Sequence, residues 1–513
     1  ALLAALARDL DRPLLVVVAQ VDQARAWVES LHSWCPAASE IARRIVRLPE
    51  PLPNFYERAP WGRDVVSGRL RVLSALANGQ KSAEGPPIVL ASARALMQPT
   101  LPRRQFRRAH RMLSRGQLLD LERTLSMWIG LGYQPAPVVE APGQFSRRGG
   151  ILDIFPPAAP APVRIELFGD EIESLRDFDP ATQRSQVRLE AAHITPATEA
   201  LPRFGPRVAQ ALDAWDLTAL PEDDAALFRQ DLQALANGTA FRGVEFYLPL
   251  LYSHPATLLD YFPEDGLVVV EDQEALSSVW AELERHALDL RESVAQAGLL
   301  PPDYARPYVA WPEWQAAVAA RDVLELAYDE ARLEGGDSPL ARAFAPGPRF
   351  GGQLKPLVGH IRAALGAGER VVVASRQATR LAELWAQEER PIHALSALTD
   401  WPTGRLNFVQ AALAEGWSVR VSSPASRSPE ADAVDGADVP GTAPTVWHLL
   451  TDAEIFGWAR PQPRRRRPRK VAPETFFADM TPGDYVVHIE HGLGLFRGLT
   501  TIELEHTERE YLL

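Results

Sequence analysis

Residues 143–185 read GQFSRRGGILDIFPPAAPAPVRIELFGDEIESLRDFDPATQRS, and the rest of the chain is parsed outward from them. The apolar run at 151–155 is bounded by Gly149-Gly150 and Pro156-Pro157, and residues 163–168 alternate apolar and charged before Gly169-Asp170 turns the chain. Glycine and proline punctuate, and a period of two marks strands, so the stretch predicts strand, loop, strand and turn. On the second strand Val163, Ile165 and Leu167 share one face, and Arg164, Glu166 and Phe168 share the other. A phenylalanine on a charged face is a contact candidate, set against the plainer reading that it folds over the turn and packs locally.

On the N-terminal side, apolar strand-length runs at 14–19, 45–48 and 88–92 alternate with helical segments at 1–10, 22–34 and 65–77, the pattern of a parallel α/β sheet. An apolar-periodic helix at 117–131 opens a small inserted α+β domain that holds the strands between 138 and 178. The α/β pattern then resumes, with a helix at 226–235 and a turn into a buried strand within 258–272. A second α/β unit begins near 340, with a helix at 357–365, a strand at 371–374, a helix at 378–385 and a late strand at 446–450. Residues 422–444 are rich in Ser, Pro, Ala, Asp and Gly without periodicity, which predicts a disordered surface loop.

A chain of 513 residues exceeds a single core, and its 46% hydrophobic and 23% charged composition is that of ordinary globular domains. Its apolar runs fall far short of the ~20 residues that a spanning helix requires, no signal peptide is evident, and the lone Cys35 excludes an internal disulfide. These features point to the cytoplasm and to no membrane partner. A net charge of −12 argues against nucleic-acid adhesion over the whole surface but leaves room for local patches. Residues 102–115, PRRQFRRAHRMLSR, hold six arginines and have a composition able to grip phosphates; in an acidic chain, a solvated strand and loop paired with acidic neighbours is the favoured expectation. Arg464 to Arg467, with Arg469 and Lys470, are interrupted by prolines and lack acids, which predicts an extended tether, with DNA or RNA polymerase contact as a secondary role.

The motifs RGG-x-LDIFP and R-x-ELF-x-DEIESLR-x-FDP-x-TQRS resemble, over their whole length, a pattern shared by UvrB and the transcription-repair coupling factors. There the segment is the small domain that docks onto UvrA, and the resemblance carries that role onto Arg148, Arg164, Phe168 and Asp170. Residues 483–498, GDYVVHIEHGLGLFRG, resemble the start of the CarD-like RNA polymerase interaction domain, which UvrB lacks. The pair of motifs in this order favours the coupling factors. By the same resemblance, Thr500, Thr501, Ile502 and Glu503 form the strand that extends a sheet of the RNA polymerase β subunit.

The implied fold is α/β multidomain: a RecA-like, UvrB-like parallel-sheet module with an inserted small α+β domain, a second α/β domain, and the start of a small CarD/Tudor-like β-barrel. The expected boundaries are 1–110 for the first half of the UvrB-like module, 111–198 for the UvrA-binding domain and 199–330 for the returning half. The second α/β domain follows at 331–460, a basic linker at 461–474 and the polymerase interaction domain at 475–513.

Nucleotide hydrolysis on this architecture requires a GxxxxGK[ST] loop. Gly79-Gln80-Lys81-Ser82 lacks its glycine pair and follows a helix; the resemblance puts the corresponding loop upstream of Ala1. The acidic residues after the buried strand read Glu271-Asp272-Gln273-Glu274, which departs from the DESH of UvrB. Residues 48–63 offer Phe55, Tyr56 and Trp61 without two strands to present them, so core packing is expected in place of the UvrB damage-probing hairpin. No histidine pattern predicts a metal, Cys35 reads as buried, and His488 and His491 belong to the polymerase-domain signature. The expectation is a chain with no catalytic residue and no cofactor of its own, ATP and Mg serving a DNA-translocating motor beyond Leu513. The expected partners are UvrA, the RNA polymerase β subunit and, mainly through that motor, double-stranded DNA. The rivals are a UvrB-type helicase subunit and a CarD-like transcription regulator.

Overall fold

The computed structural model describes residues 2–35, 39–78, 85–218, 220–326, 343–396, 404–413, 415–421, 445–457, 485–488, 492–495, 497, 499–504 and 507–512. Its first layer is a five-stranded, all-parallel sheet ordered Asp322–Glu325, Leu267–Val270, Leu14–Val18, Ile88–Ser92, Ile45–Leu48. The central strands LLVVV, LVVV and IVLAS are buried on both faces, which is why they read as continuous apolar runs and not as alternation. Helices Val21–Trp34, Arg63–Asn78 and Gln273–Gln296 supply the crossovers. The chain leaves this sheet after Ile88–Ser92 and returns to it at Leu267–Val270, beside Leu14–Val18.

The excursion builds a six-stranded sheet in the order Ser185–Leu189, Glu171–Phe178, Val163–Phe168, Ile151–Ile154, Gln144–Arg148, Gln134–Pro135, antiparallel except for the last pair. Leu152, Ile154, Val163, Ile165 and Leu175 form its buried face together with Phe145, on which Trp128 packs with ring centroids 5.6 Å apart. Trp128 belongs to the helix Leu121–Gly130, which starts four residues later than the periodicity predicts because Asp120 accepts a hydrogen bond from the Arg123 backbone and caps it. The sheet is joined to the first module by two antiparallel strands, Arg111–Ser114 and Ala191–Ile194. Beneath this joint Arg69 and Glu199 form an ion pair at 2.6 Å, with side chains 2% and 0% exposed.

The arginine-rich stretch departs from expectation. It forms a helix, Arg103–Ala109, before the strand Arg111–Ser114. Phe106 is buried edge-on against Tyr261 at 5.9 Å and Ala109 is buried beside it, so apolar anchoring on one face holds the helix despite its charge. Among the described residues no ion pair engages its arginines, although Arg103 lines a cleft with Asp260, Glu264 and Asp265.

The second α/β unit has a mixed sheet ordered Phe344–Pro346, Trp417–Val421, Thr445–Thr451, Arg370–Ser375, Leu406–Gln410. Arg370–Ser375 runs parallel to both neighbours, whereas Trp417–Val421 is antiparallel to both of its own, a strand that the sequence reading passed over. Helices Leu354–Gly366 and Ala378–Ala386 cover Val371, Val373, Phe408 and Leu450. Two further hairpins close the chain, Tyr485–His488 with Gly492–Leu495 and Leu499–Leu504 with Thr507–Leu512. The loop expected at 422–444, the tether at 461–474, the Gly79-to-Ser82 segment and His491 lie outside the described residues.

Phe55 and Tyr56 are core residues, with ring centroids 5.1 Å from Tyr308 and 6.0 Å from Tyr304 respectively, and Arg69 lies over the Trp61 ring. Cys35 is buried and its thiol is pushed up by that burial, which suits a packed apolar residue. Among the described residues, no helix is long and apolar enough to cross a membrane.

Candidate docking surfaces

Arg148, Phe168 and Asp170 lie at one end of the inserted sheet, whereas Arg164, the second residue of Val163–Phe168, lies toward the opposite end, near Phe178. The turn at Gly149-Gly150 and the turn at Gly169-Asp170 close its two central hairpins at that same end. Gly149 and Gly169 have φ of +60° and +63°, and an added Cβ would meet nothing within 4 Å, so both turns stand free in solvent. Phe168, next to the second turn, is 80% exposed and does not fold back onto the sheet. Asp170 is exposed, and its carbonyl accepts the Leu119 amide at 2.7 Å, which ties the turn to residues 117–119. Through that tie Leu118, 75% exposed, bridges to Glu171, which in turn pairs with Phe168.

The two arginines differ. Arg164 lies opposite Asp153 in register, and its Nε and Nη2 donate to Asp153 Oδ1 and Oδ2 at 2.8 and 3.0 Å. It also donates to the Gln183 carbonyl and sits 4.7 Å over the Phe178 ring. The Asp153 hydrogen bond, followed by its charge, raises the Arg164 pKa further despite partial burial. Arg148 donates to Asp153 Oδ2 at 2.8 Å and remains half exposed. One buried carboxylate thus orders two guanidinium groups, leaving Arg148 available to a partner and Arg164 largely committed to the sheet.

Asp153 and Leu118 were missed by the sequence reading. The signal for Asp153 was a single acid inside the apolar run ILDIF, where burial demands a cationic partner. Leu118 had no signal, because only tertiary pairing brings it to Glu171, the pairing partner of Phe168.

At the other end of the chain, Thr500, Thr501, Ile502 and Glu503 lie on the strand Leu499–Leu504, opposite Tyr511, Glu510, Arg509 and Glu508. Among the described residues this is a two-stranded sheet, so the strand has an edge with no backbone partner.

The acidic pair is built into the fold. Asp272 caps the helix Gln273–Gln296 by accepting from the Ala275 amide at 2.9 Å, and Glu271 is buried, with its own amide bonded to the Val17 carbonyl. Among the described residues, no cluster of three or more His, Cys, Asp or Glu is placed to hold a metal ion.

A UvrB interaction domain is matched over residues 112–199, the segment that forms this sheet and its joint, and a CarD-like/TRCF RID domain over residues 480–513. The whole chain aligns with curated proteins named transcription-repair-coupling factor. Identity is 26% over 523 residues with that of Bacillus subtilis, and 29% over 554 residues with that of Myxococcus xanthus. The chain is similar to the transcription-repair-coupling factors. Both alignments cover 99% of this chain but only 42% of the relative, so the chain spans less than half the length of these coupling factors. A coupling factor of Staphylococcus aureus (strain Mu50) aligns at 24% identity over 476 residues, 90% of this chain.

Proposed function

We propose that this chain is the recognition part of a transcription-coupled repair factor, holding stalled RNA polymerase with one surface and recruiting UvrA with another. The observation that carries the reading is the exposed sheet end of the inserted domain. Phe168 projects there, Leu118 is exposed on the far side of Glu171, and Arg148 is held ready by Asp153. A large exposed apolar side chain and an ordered guanidinium at the same end of one sheet have the composition of an interface hot spot. The edge of Leu499–Leu504, which has no strand partner among the described residues, supports strand addition to the polymerase β subunit, where backbone hydrogen bonds supply affinity and alternate side chains supply specificity. In this reading the ATP-driven DNA translocase lies in sequence beyond Leu513, and the 513 residues themselves turn over no ATP. The fold that contains the Leu499–Leu504 hairpin is proposed as a small β-barrel, and the protein as cytoplasmic.

The test is capture of purified UvrA and of a polymerase β-subunit fragment by the 513-residue chain. Phe168→Ala is expected to abolish UvrA capture and leave β capture intact. Equal loss of both, or of neither, overturns the assignment of the two surfaces.

A further inference from the structure

The helix Arg103–Ala109 carries a second surface that the docking sites do not use. Phe106 and Ala109 are buried, whereas Arg104, Arg107 and Arg108 are exposed, and Arg111 follows at the same spacing of three and four residues. Arg111 stays in place by donating to the carbonyls of Arg108 and His110 at 2.6 and 2.9 Å. Arg203 arrives from another element and donates to Gln105 Oε1 at 3.2 Å, with its guanidinium 5.0 Å over the Phe204 ring. Its pKa is lowered first by burial and also by the charges of Arg108 and Arg111, which shows that these groups share one field.

Among the described residues none of these five arginines makes an ion pair, although the chain as a whole carries a net charge of −12. A concentrated cationic field on an acidic protein repels cations nearby and selects polyanions.

We propose that the face formed by Arg104, Arg107, Arg108, Arg111 and Arg203 binds the phosphate backbone of duplex DNA without regard to sequence. Two features favour a duplex over other polyanions. The two phenylalanines at the patch offer no open ring, since Phe106 is only 1% exposed and Phe204 is partly buried beneath the Arg203 guanidinium, so the face has no aromatic platform on which single-stranded bases stack. Four of its arginines are carried by a packed helix and a strand end and the fifth by the turn Pro202–Phe204, so their backbone positions are fixed, which suits the regular phosphates of a duplex.

The experiment measures affinity of the 513-residue chain for a fluorescent DNA duplex of about 30 base pairs between about 50 and 200 mM salt. Arg104, Arg107 and Arg108 are replaced together by Gln. These side chains are exposed and unpaired, so an unchanged thermal melt checks that the fold persists. The expected result is a loss of roughly tenfold or more at the lower salt, with the log-log salt slope reduced by about 2.7, the share of three phosphate contacts. A companion variant with Arg465, Arg466 and Arg467 replaced by Gln separates this patch from the basic run at 464–470 and is expected to keep most of the binding. The proposal is overturned by unchanged affinity in the helix variant, by complete loss in the companion variant alone, by equal affinity for single-stranded DNA, or by a patch that captures an acidic peptide and no duplex.

Discussion

Asp153 and Arg164 face each other across two paired strands and are joined by two hydrogen bonds of 2.8 and 3.0 Å, with the carboxylate 1% exposed. An arginine so placed has two roles that a single substitution confounds. Arg164→Ala removes a partner surface and also weakens the support of a buried charge, so it is expected to destabilise the inserted domain by about 3 kcal/mol. Phe168→Ala, at a site 80% exposed, is expected to change stability by no more than about 0.5 kcal/mol. Urea unfolding beside UvrA capture distinguishes them: Phe168→Ala loses capture alone, Arg164→Ala loses both. Loss of stability in Phe168→Ala would count against its role as a contact.

Arg69 and Glu199 are 130 residues apart in sequence and tie the first module to the exit of the inserted domain. Either Arg69→Met or Glu199→Gln leaves one uncompensated polar or charged group in a dry site, at an expected cost of about 3–5 kcal/mol. The double variant is expected to recover part of that loss. A double-mutant cycle on thermal or urea unfolding measures the coupling, and additive losses would contradict it.

Asp272 as a helix cap leads to a separable prediction about nucleotide chemistry. Asp272→Ala is expected to cost about 1 kcal/mol, and Asp272→Asn much less, because asparagine caps nearly as well. ATP turnover by the chain is expected at background in all three forms. Turnover above background that falls in Asp272→Asn would establish a catalytic role instead.

Ile502→Arg tests the polymerase surface in a protein extended past Leu513. A folded domain that no longer captures the β subunit is expected. An unfolded domain, or retained capture, would show that Ile502 is not a contact of the added strand.

His110 and His193 stack with ring nitrogens 3.1 Å apart at the joint of the inserted domain. Burial, then His193 and Arg111, hold the His110 pKa below 6.5. The unfolded chain therefore takes up a proton near pH 6.5 that the folded chain accepts only at lower pH, and stability falls as pH drops from about 6.5 through the folded value. His110→Gln is expected to flatten this dependence between about pH 7.5 and 5.5 in thermal unfolding. Part of the slope remains, because His360, partly buried beside His448, shifts in the same direction. An unchanged slope would exclude the pair as its source.

Local patterns in the sequence determined much of this protein. The runs LLVVV, IVLAS and LVVV declare buried strands because a parallel sheet with both faces covered admits apolar residues at every position. Alternation over 163–168 placed Arg164 and Phe168 on the face opposite the core, since a strand has a side-chain period of two. Glycines at two hairpin turns marked the free end of the inserted sheet, where positive φ is required. What the sequence left open depended on partners distant in the chain. Arginines at 103–111 read as a solvated strand and loop until Tyr261, 155 positions after Phe106, supplied the apolar contact that makes them a helix with one charged face. Arg148 and Arg164 looked alike as motif residues, yet only the register of three strands showed that Asp153 holds both and that one of them is largely shielded while the other stays half exposed. Charge on a side chain is written in the sequence; whether that charge is neutralised by a neighbour or left to face solvent is decided by the tertiary structure.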